Sequence, residues 1–145
     1  MGYYINTTDL DNAFGSARII ELADKDLDGV ADAEMVADAI ENAESTVEMY
    51  VGRRYDLADV RTKKPKVVIK LSLDLGLYEL AKARDEALVG EGTDFKEIHD
   101  TAIAMLKDLA RGNAVLDVTS AIAEPTVVEI DANDRLFTRT TMKGF

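Results

Sequence analysis

Pro65-Lys66-Val67-Val68-Ile69-Lys70-Leu71-Ser72-Leu73-Asp74-Leu75-Gly76-Leu77-Tyr78-Glu79-Leu80 carries apolar residues on two sides of a helix at once. Val68, Leu71, Leu75 and Tyr78 step by three and four along one face, and Ile69, Leu73, Leu77 and Leu80 step along another. A helix apolar on two sides needs neighbours on both flanks, so this segment reads as the central helix of a bundle. Pro65 suits the first helical position, where the missing N–H is no loss. Gly76 costs about 1 kcal/mol relative to Ala inside a helix, and close packing by another helix is the expected reason for it.

Upstream, Val36, Ile40, Ala43, Val47 and Tyr50 form one face of a long helix from about Ala33 to Val51, which Gly52-Arg53-Arg54-Tyr55 ends. The polar stretch from Asp56 to Lys64 reads as loop. Two short helices precede the long one. Thr8 is the expected cap of the first, which Gly15 closes, and Ser16 is the expected cap of the second, which runs to Ala23 with Ile19, Ile20 and Leu22 facing inward. Downstream, Gly90-Glu91-Gly92 breaks the chain. Asp94 and Glu97 have capping-box spacing. The last helix runs to about Arg111, with Phe95, Ile98, Ala102, Met105 and Leu109 inward and Gly112 as its stop.

The texture changes after Gly112. Thr126-Val127-Val128-Glu129-Ile130 is β-branched and apolar, Asp131-Ala132-Asn133-Asp134 is turn chemistry, and Arg135 to Thr140 reads as a returning strand. A lone hairpin is marginal in water and needs a cover. The expected fold is therefore mainly α: a helical bundle of three long and two short helices with a C-terminal β-hairpin or extended arm. Residues 1–112 form the helical domain in this reading, and residues 113–145 form the arm.

The chain of 145 residues has a net charge of −11 and no cysteine. Disulfides and thiolate catalysis are excluded, and an acidic surface argues against a basic nucleic-acid patch. The sign is uneven: from residue 135 onward Arg135, Arg139 and Lys143 occur with no acid. An acidic body with a basic end suggests an acidic partner for that end. No apolar run is long enough for a membrane span, and Met1–Asn6 lacks the pattern of a signal peptide.

Asp24-Lys25-Asp26-Leu27-Asp28-Gly29-Val30-Ala31-Asp32 resembles the first half of an EF-hand loop. Asp24, Asp26 and Asp28 would fill ligand positions 1, 3 and 5, Val30 would offer its carbonyl, and Asp32 falls at position 9. Position 12 holds Met35 where calcium wants a bidentate Glu, and Glu34 lies one residue early. A structural calcium is one reading. The other is that these acids hold a turn and stabilise the positive end of the next helix. No cofactor is expected to be required, and calcium is the candidate structural ion.

His99, the only histidine, reads as a surface residue on the last helix. No nucleophile, phosphate loop or zinc spacing accompanies it, so no enzyme is expected. Arg53, Arg54, Arg61, Lys63, Lys64 and Lys66 make a basic patch around the middle loop. It is expected to pair with carboxylates of the same or an adjacent subunit.

The order of these features resembles the head–tail connector (neck adaptor) family of Mu-like tailed phages and prophages. The resemblance runs through Tyr4, Asp9-Leu10, Phe14-Gly15, the Asp24–Gly29 loop, Gly52-Arg53-Arg54-Tyr55-Asp56-Leu57, Pro65, Leu77-Tyr78, Asp134-Arg135-Leu136-Phe137-Thr138-Arg139 and Gly144-Phe145. It implies a virion protein of the neck, made in the host cytoplasm. Such proteins form a ring, commonly a dodecamer, beneath the portal protein. They extend the DNA channel, with DNA only as passing cargo, and dock stopper or tail-completion proteins, with no membrane involved. On that reading Arg135, Leu136, Phe137, Arg139, Met142 and Phe145 dock on a neighbouring subunit or the portal. The competing expectation is a calcium-dependent protein-binding module that uses the Asp24–Asp32 loop.

Overall fold

The computed structural model describes residues 2–120, and within them the protein is mainly helical with no sheet. Its helices are α1 (Thr7–Phe14), α2 (Ser16–Ala23), α3 (Ala33–Val51), α4 (Leu57–Lys63), α5 (Lys66–Arg84) and α6 (Asp94–Arg111), with a 3-10 turn at Glu86–Val89. The hairpin expected at 126–140 lies outside the described residues, as do Arg135, Leu136, Phe137, Arg139, Met142 and Phe145.

α5 is the hub. It packs on α1, α2, α3 and α6, with α3 its largest neighbour. Val68, Leu71 and Leu75 are buried on one face, and Leu77 and Leu80 on the other, while Ile69, Leu73 and Tyr78 are half-buried. Each fully buried leucine contributes about 1.5–3 kcal/mol. The two-sided apolar pattern thus reports a helix enclosed by its neighbours. Above Gly76 sit Leu10 of α1 and Ile5, where an added Cβ would lie 3.5 Å and 3.7 Å from their side chains. That is ordinary contact, so packing does not forbid alanine there.

α3 has the bounds that its periodicity predicts, with Val36, Ile40, Ala43 and Val47 buried. The stretch expected as a loop is different. Asp56 caps α4 by accepting the Ala58 N–H, Val60 is fully buried, and Lys64 ends the helix in the left-handed region (φ 45) just before Pro65. Seven residues make too short a helix to stand alone. Burial of Val60 and an ion pair from Arg61 to α3 hold it, and neither is visible as local periodicity. Among the described residues the bundle therefore has three short α-helices where two were expected.

Three caps also differ. Asn6, not Thr8, caps α1 in a reciprocal box with Asp9, and Thr8 lies inside the helix. Ser16 is the first residue of α2 and makes no cap bond; Gly15 holds the cap position. Thr93, not Asp94, caps α6 by accepting the Lys96 N–H. Asn6 and Thr93 lie one or two residues earlier than the expected caps, because several polar residues in a row can serve, while α2 begins without a side-chain cap. On α6 the buried positions are Ala102, Leu106 and Leu109, and Met105 is 39 % exposed. The inward stripe passes through Leu106, four residues beyond Ala102, instead of Met105.

Candidate functional site

The Asp24–Asp32 loop joins α2 to α3. Asp24 is buried, and its two carboxylate oxygens accept the Asp28 and Gly29 N–H groups at 3.1 Å and 2.9 Å. Asp26 accepts the Asp28 N–H at 3.3 Å, and Asp28 accepts the Val30 N–H at 2.8 Å. Asp32 accepts the Lys25 N–H at 3.0 Å, which closes the loop across its base. The Arg84 guanidinium at the end of α5 donates to the Asp24 carbonyl. Gly29 adopts φ 88, a left-handed conformation that costs glycine little. Leu27 takes the same region without that freedom.

Burial pushes the Asp24 carboxyl upward, but bonds from the Gly29, Asp28 and Leu27 backbone outweigh it and hold the group below the usual range. The charge of Asp28, with burial second, raises Asp26. Carboxylate oxygens of Asp24, Asp26 and Asp28 lie within 4.8 Å of one another. These three residues could hold a hard cation, while Asp32 is engaged with the backbone of Lys25. Val30, whose carbonyl was expected as a ligand, is 63 % exposed at the loop tip beside Leu27 at 76 %.

A second polar centre lies on α3, where sequence reasoning did not place one. Glu44 is only 4 % exposed and accepts three successive backbone N–H groups, from Tyr3 at 2.6 Å, Tyr4 at 2.8 Å and Ile5 at 3.0 Å. A buried carboxylate is thus compensated by peptide donors. An added Cβ at Gly2 would overlap the Glu44 carboxylate, the Ile5 carbonyl and Ile40, so the strap fits only with glycine there. The available signal was an acid on an apolar stripe: Glu44 falls four residues after Ile40 and three before Val47.

One turn further along α3, Glu48 receives a forked bond from Arg61 of α4, Nε at 2.6 Å and Nη2 at 2.7 Å, and the Tyr4 hydroxyl donates to it at 2.9 Å. The Arg61 guanidinium lies 3.9 Å from the Tyr3 ring centroid. Arg61's bonds hold the Glu48 carboxyl below its ordinary range, against burial and with help from Tyr4. Burial first, then Glu48, pushes Tyr4 well above the tyrosine range.

Part of the expected basic patch therefore pairs within the chain: Arg61 with Glu48, and Lys63 with Asp59 at 3.1 Å. Arg53 lies over the Tyr50 ring at 5.7 Å. Beyond Gly112 the chain returns to this corner. Tyr55 is buried; its hydroxyl accepts the Leu116 N–H at 3.0 Å and faces the Ala114 carbonyl at 3.5 Å. Asp56 N–H donates to the Thr119 carbonyl at 3.0 Å, Thr119 N–H donates to Asp59 at 2.7 Å, and Tyr55 pairs with Ser120 in an antiparallel bridge. His99 is less solvent-facing than expected. It stacks on Tyr78 at 4.1 Å and sits 3.1 Å from Asp100.

Fold and surfaces define an acidic, mainly helical protein with two polar centres on α3 and the loop that leads into it. Residues 4–130 match the family described as Bacteriophage Mu, Gp36, and the chain belongs to that family. It is a Mu-like phage protein, and the family points to a part in phage structure or morphogenesis. No curated protein matches the chain. No helix among the described residues is long and apolar enough to cross a membrane.

Proposed function

We propose that this protein is a head–tail connector, a non-catalytic adaptor of the virion neck. It forms a ring, commonly of twelve copies in such assemblies, beneath the portal protein. The ring extends the DNA channel and presents a platform for a stopper or tail-completion protein. The observation that carries this reading is the match of residues 4–130 to a Mu phage family. The net charge of −11 supports it, because a ring wall rich in acid lets DNA pass without adhering. Electron microscopy of the protein mixed with portal-bearing heads tests it. A ring seated under the portal is expected; a protein that never associates with heads or portal would overturn the reading.

The convergence of Asp24, Asp26 and Asp28 oxygens within 4.8 Å favours a second reading, a calcium-dependent protein-binding module. Terbium luminescence on wild type and Asp26→Ala, with partner binding measured with and without chelator, separates the two. Partner binding lost on chelation supports the module. Ring assembly indifferent to chelator supports the connector.

A further inference from the structure

The cleft between the N-terminal strap and α3 has a volume of about 600 Å³ and is walled by Tyr3 and Asn6 on one side and by Ile40, Glu41, Glu44 and Glu48 on the other. Glu34, Asp38, Glu41, Ser45 and Glu48 step by four and three along one stripe of α3; Glu41, Ser45 and Glu48 line the cleft, and Glu34 and Asp38 lie beyond it toward the Asp24–Asp32 loop. Over these residues the stripe is about 21 Å long. Among the described residues, Glu34, Asp38 and Glu41 make no ion pair, and only Glu48 meets a cation, Arg61. Apolar surface lies open beside the acid: Tyr3 is 54 % exposed, and Met49, one turn beyond Ser45, is 55 % exposed. The cleft therefore suits a segment that alternates cations with apolar side chains.

This chain carries such a segment. Arg135, Arg139 and Lys143 recur every four residues, Leu136, Phe137, Met142 and Phe145 lie among them, and no acid occurs from 135 onward. Fully extended, residues 121–145 reach about 80 Å. A folded body of this size is about 35 Å across, so the cleft of an adjacent copy is within range. Two acidic bodies placed side by side repel, and a cationic segment laid between them offsets that repulsion. We propose that the strap–α3 cleft is the seat of the C-terminal segment of a second copy of this chain. The assignment rests on the ring reading above and names its subunit-to-subunit contact.

The absence of cysteine allows a direct test. Full-length chains bearing Ser45→Cys are mixed with chains bearing Thr140→Cys, concentrated and oxidised, with Thr62→Cys on α4 as the control for random collision. A Ser45–Thr140 link between copies, several-fold above the control, is expected. Glu41→Lys or Arg139→Glu should each lower it several-fold, and the two reversals together should restore it. Glu41 is exposed, so its reversal leaves the core intact. A yield no higher than the control would overturn the assignment. So would a chain bearing both cysteines that closes only on itself. Rings assembling normally on heads from Glu41→Lys chains, with no link, would also overturn this contact while leaving the connector reading standing. The link forming in solution while no ring forms on heads would support the contact and count against the connector.

Discussion

Gly76 occupies the middle of the most enclosed helix, yet the space above it is wide enough for a methyl group in ordinary contact with Leu10 and Ile5. Gly76→Ala should therefore remove the helix-interior cost of glycine and stabilise the protein by about 1 kcal/mol in urea unfolding. A destabilised variant would mean that the neighbours cannot accept the Cβ. The Tyr4–Glu48–Arg61 network contributes to the pH response at both ends. Glu48 is depressed in the fold, so its contribution is complete above about pH 4 and is lost as pH falls through its lower folded value. Tyr4 is raised, so its contribution is complete below about pH 10 and is lost as pH rises beyond that. Denaturant midpoints should be level between these limits and fall on both sides. Tyr4→Phe should shrink the alkaline fall, and an unchanged alkaline limb would count against the network.

At the scale of elements, α4 and the return segment 113–120 depend on one another. Tyr55 receives the Leu116 N–H, while Asp56 and Asp59 exchange bonds with Thr119. Tyr55→Phe keeps the ring in the core but strands the Leu116 N–H. It should cost about 1–3 kcal/mol. Amide exchange should quicken at Leu116 and Thr119 before it quickens in α5; equal protection in mutant and wild type would show that the hydroxyl does not hold this segment. The Asp24–Asp32 loop is held in a different way, by its own carboxylates turned onto its own backbone.

For the whole molecule, charge is the organising quantity. The net charge is −11, while residues 135–145 hold three cations and no acid. Truncation after Asp134 should leave circular dichroism and the unfolding midpoint of the helical body unchanged but abolish attachment to portal-bearing heads, scored by electron microscopy. Heads that still accept tails would show that this segment does not dock. On the proposed connector reading, the acidic body is multiplied around an axis and joined to adjacent copies through its cationic segment.

The long helices α3, α5 and α6 were legible in the sequence because each buries enough side chain at helical spacing to write a period longer than any local accident. The Asp24–Asp32 loop was legible too, since its acids act on residues two to seven positions away. α4 was not, since a seven-residue helix forms only when Val60 meets the core and Arg61 meets Glu48. Nor was the centre on α3. Glu44 stood out only as an acid on an apolar stripe, and its partners are backbone groups some forty positions away, which carry no side-chain signature. Sequence determined the long helices, the charge and the family, because these are sums over local residues. The joining of strap and α3 into one cleft, with Arg61 of α4 bound to Glu48, was decided only by tertiary structure, because hydrogen bonds between distant segments exist only once the chain has packed.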